Sequence, residues 1–369
     1  VPNVTQEQVL AALASVKDPD LHRDIVSLGF VKNLQIEGSR VAFTIELTTP
    51  ACPVRDQMKQ WARDAVLRLP GVSDVQIEMT AQVRTGRAMA GKEAVPGVRN
   101  VVAIASGKGG VGKSTVAVNL ALALADTGAR VGLLDADVTG PNIPLMMAAR
   151  GEPRGQDGKI VPLESYGIKI ISIAFFVPED QPVIWRGPMV HGAIQQFFRD
   201  VLWGELDYLL VDLPPGTGDA SLTVAQAVPL AGVVIVTTPQ DVALLDVSKS
   251  VNMFRRLEVP ILGVVENMSF FVCSRCGERA DIFGHGGGER FSQRYNIPFL
   301  GAIPLHPSIR EGGDAGRPIV RTQPDSPQAQ AIREVAGQVA ARVSTLAYAA
   351  EQEAGRPRAV PIRMFGIKR

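Results

Sequence analysis

The chain predicts an α/β protein: a mostly parallel sheet with helices on both faces, preceded by a small α/β domain. Three observations carry this. From about residue 100, short apolar runs alternate with longer helical patterns, as expected of strands buried on both faces. A glycine-rich loop lies between the first such run and the first such helix. Upstream, a shorter set of elements has apolar stripes of its own. The boundaries read as 1–83 for the small domain, 84–99 for an exposed linker, 100–350 for the larger domain and 351–369 for a C-terminal tail.

In the small domain, Val9, Leu10, Leu13 and Val16 recur at helical spacing, and Asp18-Pro19 ends that helix. Strands at 30–36 and 41–47 flank Glu37-Gly38-Ser39, a hairpin turn. Met58, Trp61, Ala62, Ala65 and Val66 form the stripe of a second helix stopped by Pro70-Gly71, and a strand at 75–79 completes the unit. In the larger domain the apolar runs predict strands at 101–105, 131–134, 168–173, 208–211, 233–236, 261–265 and 299–302. Helices begin near Ser114, Met189, Ala220, Val242 and Gly288, and a closing helix spans 326–346.

Composition narrows the function. With 369 residues, 46% of them apolar, a large core and a second small one can form without disulfides. Three cysteines in so long a chain suit a reduced compartment, and no charged-then-apolar leader precedes Thr5. No run approaches the roughly 20 apolar residues of a membrane span. A cytoplasmic protein is expected. The net charge of +1 argues against a general attraction to nucleic acid or anionic lipid. Arg356, Arg358, Arg363, Lys368 and Arg369 make a local basic patch, but Pro357 and Pro361 interrupt any amphipathic helix there, so no stable membrane association is expected.

Gly107-Lys108-Gly109-Gly110-Val111-Gly112-Lys113-Ser114-Thr115 follows a strand and precedes a helix, the context a phosphate-binding loop requires. Glycines let backbone amides converge on phosphate oxygens, and the helix N-terminus adds its positive end. Lys113 is placed to reach the β and γ phosphates of ATP, and the Ser114 hydroxyl to ligate Mg2+. Asp135 and Asp137 follow the strand at 131–134, at the sheet edge where ligands bind in parallel α/β folds, and Asp212 ends the strand at 208–211. As plain structural roles, Lys108 is a solvated loop charge, Asp135 caps a turn and Asp219 caps a helix.

Cys273-Ser274-Arg275-Cys276 brings two thiols within reach of one metal, half a tetrahedral site. The residues alone leave three readings open: a redox pair, half of a zinc site with His285 and Cys52 as the available completing ligands, or a site completed by a second copy across a two-fold axis. Zinc ranks first on the residues alone.

These motifs, in this order and over nearly the whole chain, resemble the Mrp/NBP35 family, also called ApbC-type iron–sulfur cluster carriers, within the MinD/ParA group of deviant P-loop ATPases. The resemblance rests on residues 107–115, Asp212-Leu213-Pro214-Pro215-Gly216-Thr217-Gly218, Asn267-Met268-Ser269 and the cysteine pair. It implies that Lys108 crosses a homodimer to touch the partner's phosphates, that Asp137 orients the attacking water and that Asp212 holds the magnesium shell. It implies too that residues 214–219 form a switch, that Asn267 reads adenine, and that Cys273 and Cys276 hold a labile [4Fe-4S] cluster between subunits. Arg186-Gly187-Pro188 and Thr238-Pro239-Gln240-Asp241 match recurrent family segments without a separate chemistry.

Asp18-Pro19, Leu28-Gly29 and residues 48–53 resemble a MIP18-type (DUF59) domain. That makes Cys52 a candidate for transient cluster contact, or else a half-buried thiol at a helix start whose pKa the amides lower. The function implied is an ATP-hydrolysing carrier that takes a cluster from a donor and passes it to apo-proteins. The rival is a MinD/ParA-type spatial-organising ATPase, and a third reading is an ATP-coupled electron-transfer protein related to nitrogenase iron protein.

Overall fold

The computed structural model describes residues 4–86, 92–138, 140–177, 187–273 and 275–354. Arg186, Ser274 and the basic residues beyond 354 lie outside the described residues.

The first unit runs α1 (Gln6–Leu13), β1 (Val31–Glu37), β2 (Arg40–Leu47), α2 (Arg55–Leu67) and β3 (Asp74–Ala81). Thr5 and Gln8 form a capping box at the start of α1. β1 and β2 pair antiparallel across the expected turn, where Gly38 has φ +60°, and β2 and β3 pair parallel with α2 as the crossover. Val9, Leu13, Met58, Ala62 and Val66 are buried between helices and sheet. Two expectations need correction. Trp61 is 44% exposed, because the buried stripe of α2 runs through 58, 62 and 66 and leaves 61 on its flank. Helix α1 stops at Leu13, well before Pro19; the Asp18 carboxylate takes the amides of Asp20 and Leu21 at 2.9 and 2.8 Å and shapes a turn of its own.

The larger unit begins with β4 (Val101–Ser106), α3 (Lys113–Asp126), β5 (Val131–Asp135), α4 (Ile143–Met146), β6 (Arg154–Gln156), β7 (Lys159–Val161), β8 (Leu163–Ser165) and β9 (Ile168–Ser172). It continues with α5 (Gly187–Arg199), β10 (Tyr208–Asp212), α6 (Asp219–Ala227), β11 (Leu230–Thr237), α7 (Asp241–Arg256), β12 (Ile261–Val272) and β13 (Arg279–Ala280). It closes with α8 (Gly287–Tyr295), β14 (Phe299–Leu305), α9 (Pro307–Asp314), α10 (Ile319–Thr322) and α11 (Pro327–Ala354). The sheet order is β13-β12-β11-β4-β10-β5-β9-β8, with β14 also on β12; β8 and β13 are the antiparallel members. β4 sits between β11 and β10, so the loop after it opens at the centre of the carboxyl edge.

Helix α3 is apolar nearly all round and buried from Val116 to Leu124, which explains why its sequence lacks a polar face. The described part of the segment at 84–99 is not wholly exposed, since Val95 is buried in the larger core, as is Val83 just before it. Thr49 shares a 3.1 Å hydrogen bond with Tyr208, Ser344 donates to Thr48, and Arg84 stacks over Tyr348 while pairing with Glu351. The smaller unit is thereby held against β10 and α11.

Candidate functional site

The loop at 107–115 folds as it does because two close approaches exclude side chains. A Cβ on Gly107 would lie 2.4 Å from the Val247 amide on α7, and one on Gly112 would lie 2.2 Å from Asn267 Nδ2. Gly110 and Gly112 have φ of +78° and +81°, the left-handed region glycine adopts at little cost. Gly112 precedes α3 with no side-chain cap on the helix, so the first-turn amides remain for a ligand.

Lys113 donates to Asp212 Oδ1 at 2.8 Å and lies 3.9 Å from Asp137 Oδ2, and the Ser114 hydroxyl donates to Asp212 Oδ2 at 2.5 Å. Asp135 accepts from the Asp137 amide at 3.2 Å, the Ile143 amide at 3.3 Å and the Ser172 hydroxyl at 3.0 Å. Asp135 thus does cap the turn into α4, while Asp219 is the first residue of α6 without a side-chain capping bond. Burial, and then the charge of Asp212, hold Asp135 well above the usual carboxylate range. Burial also raises Asp212, against the pull of Lys113. Three buried carboxylates therefore share one buried ammonium, an excess of hard oxygen donors beside a phosphate loop. That donor set fits a magnesium ion held by Ser114 and Asp212.

Of these side chains Lys113, Ser114 and Asp137 border a cavity of about 480 Å³ that also takes in Lys108 and Asn267. Asn267 donates to the Val111 carbonyl at 2.8 Å, tying β12 to the phosphate loop. It lies within β12, not after it. Glu266 and Asn267 read as a polar strand end, but both are buried and hydrogen-bonded, so the strand continues to Val272. The far wall was missed in the sequence: Pro304, Leu305, His306, Ile309, Arg310 and Asp314 line it. The rule that flagged Asp135 would have found them, since they sit at a carboxyl strand end where Pro307 opens a helix.

Cys273 directly follows β12 and Cys276 is exposed; the Cys273 amide donates to the Glu278 carbonyl at 2.9 Å and the Gly277 amide to the Cys273 carbonyl at 2.8 Å. Hydrogen bonds from the amides of Cys276 and Arg275, and then from the Cys276 thiol, lower the Cys273 pKa below 9.0. Among the described residues no third His, Cys, Asp or Glu completes a metal site. His285 turns to Arg279 at 2.9 Å instead, and Cys52 packs with the core of the smaller unit, which removes both expected single-chain zinc ligands. Burial pushes the Cys52 thiol up to about 11, opposite to the lowering expected at a helix start, because loss of solvent outweighs the single amide of Val54.

A family model described as a NUBPL iron-transfer P-loop NTPase matches residues 97–340, and one described as an iron-sulfur cluster assembly protein matches residues 6–79. An iron-sulfur cluster carrier protein of Synechocystis sp. is 49% identical over 352 residues, covering 93% of this chain and 99% of that protein. A protein of the same name from Deinococcus radiodurans is 51% identical over 341 residues, covering 92% and 95%. Among solved structures, a nucleotide-binding protein from Archaeoglobus fulgidus in complex with ADP is 41% identical with a TM-score of 0.55, covering 60% of this chain and 88% of that one. No helix among the described residues is long and apolar enough to cross a membrane.

Proposed function

Since this chain belongs to the NUBPL iron-transfer P-loop NTPase family, we propose that it is an ATP-hydrolysing iron–sulfur cluster carrier, with a [4Fe-4S] cluster as cargo between the cysteine pairs of two chains. The observation that carries this reading is one strand, β12, that bears a phosphate-loop contact at Asn267 and ends at Val272, immediately before Cys273. One chain brings two adjacent thiols, whereas such a cluster conventionally takes four cysteinates. A homodimer supplies four. Exposed Ile282 and Val272 beside the cysteines, with Val242 and Leu245 on α7, offer apolar surface for that association.

In this reading the amides of residues 109–113 and the Lys113 ammonium hold the β and γ phosphates. Ser114 and Asp212 would hold Mg2+, which would supply neutralising charge for the phosphates. Asp137 orients the attacking water, Asp135 fixes the backbone that carries Asp137, Lys108 reaches the partner's phosphates and Asn267 reads the base. Residues 1–83 act as the MIP18-type domain, 84–99 as the connection, 100–350 as the ATPase and 351–369 as the tail. The relatives' names favour this reading over a spatial-organising ATPase. The test is transfer: anaerobically loaded protein should reactivate an apo-[4Fe-4S] enzyme, and the Cys273→Ser variant should not. Equal reactivation by that variant would remove the cysteine pair from the function.

A further inference from the structure

The cysteine excursion leaves the sheet at Val272, passes Cys273 and Cys276, returns through β13 and rejoins the core where α8 begins at Gly287. Its return end is tied to the strand it left. The Gly286 and Gly288 amides donate to Glu266 Oε1 at 3.3 Å and Oε2 at 2.5 Å, and the Ser269 hydroxyl donates to Oε1 at 2.6 Å. Glu266 is 1% exposed, so these donors are what make its burial tolerable. A Cβ on Gly288 would lie 3.1 Å from the Glu266 Cβ, so the two segments are in close contact.

The next residue, Asn267, holds the Val111 carbonyl of the phosphate loop. Successive strand residues face opposite sides of a sheet, so Glu266 grips the excursion on one face while Asn267 grips the loop on the other. Glu266 itself is framed by Thr237 of β11 and Ala302 of β14. Beyond it Met268 has φ +55°, and the register with β14 shifts between Asn267 and Phe271. That bulge is the place where the outgoing end of the excursion can change angle.

We propose that Glu266 is a positioning residue that makes nucleotide binding felt at the cysteine pair, by fastening the return end of the excursion next to the residue that holds the phosphate loop. A shift at Val111 and Asn267 then moves both feet of the excursion together. The inference rests on reading Cys273 and Cys276 as the cargo thiols.

The test uses reduced, metal-free full-length protein, with alkylation of Cys273 and Cys276 by iodoacetamide followed by mass spectrometry, with and without saturating Mg-ATP. In the wild type, nucleotide should change their rate by about fivefold, the lower end of coupling between sites. Glu266→Gln keeps the volume but turns an amide donor group toward amide donors. The nucleotide effect should then fall below about twofold while nucleotide affinity stays within about twofold of wild type. Ser269→Ala, which removes only the hydroxyl donor, should give an intermediate effect and serves if Glu266→Gln does not fold. A merely structural role would alter the rates equally with and without nucleotide and leave their ratio intact. Wild-type rates indifferent to nucleotide, or variants with the full wild-type ratio, would overturn the proposal. Because alkylation needs no iron, a protein that never takes up a cluster yet shows the Glu266-dependent response would remove the carrier reading and leave this one standing.

Discussion

Lys113 serves the fold as well as the ligand, because its ammonium is the near counter-charge of the fully buried Asp212. Lys113→Ala should weaken ATP binding by roughly 10- to 100-fold, since charge-assisted hydrogen bonds contribute about 1.5–3 kcal/mol; titration with unchanged affinity would contradict it. The same variant should show a pH signature. A carboxylate whose folded pKa is raised binds its proton more tightly in the native state, so its stability contribution is fully present below the unfolded pKa and declines as pH rises toward the folded one. Burial raises Asp212 and Lys113 opposes that rise, so removing Lys113 pushes the upper edge of this window higher. The melting-temperature deficit of Lys113→Ala should therefore be small near pH ~4 and grow toward pH ~8. A deficit flat across that range would mean that Lys113 is not the counter-charge. The thiols differ in the same currency of protonation. Cys273 is lowered from 9.0 and Cys52 raised to about 11, so the alkylation rate of Cys273 should approach its plateau at a lower pH than that of Cys52, which still climbs at pH ~10. Superimposable profiles would refute the two environments.

Among the elements, the phosphate loop is fixed by what its glycines touch. Gly112→Ala combines a φ of +81° with a Cβ 2.2 Å from Asn267 Nδ2, so the variant should displace either the loop or β12 and lose nucleotide binding; normal affinity would show that Asn267 yields freely. Most elements of the sheet were legible because buried parallel strands are written as unbroken apolar runs: the expected 101–105 and 208–211 differ from β4 and β10 by one residue at the carboxyl end. What escaped was encoded by partnership instead of pattern. The expected strand at 261–265 stops short of β12 because Glu266 and Asn267 look like a polar boundary, yet their backbone partners Gly286, Gly288 and Val111 lie 20 or more residues away in the chain. The short β6, β7 and β13 contain Arg154, Lys159 and Arg279, with no apolar run to announce them. Helix α11 outlasts its expected end at 346 because Ala347, Ala349 and Ala350 sustain it and Tyr348 is held by Arg84.

For the whole molecule, two cores meet along α11 and β10, and the cysteine excursion projects from the far side of β12. The near side of the cavity, Lys108, Lys113, Ser114, Asp137 and Asn267, was legible because it lies in one contiguous loop and at strand ends, whereas the wall at 304–314 was not. The cysteine pair reads as half a site in the sequence, which lists only one chain's ligands; completion by a second copy is the proposal above. Cys52 shows the same limit from within: it lines a small cavity with Asp18 and Ser344, which are far from it in the chain. The central claim, a cluster shared by two copies of this chain, is tested most directly by anaerobic reconstitution with iron and sulfide, measuring iron, acid-labile sulfide and mass in solution on the same sample. We expect four irons and four sulfides per dimer, with both lost in the Cys273→Ser, Cys276→Ser double variant while ATP binding persists. A cluster retained by a monomeric double variant, or stoichiometric zinc that resists replacement by iron and sulfide, would contradict the account.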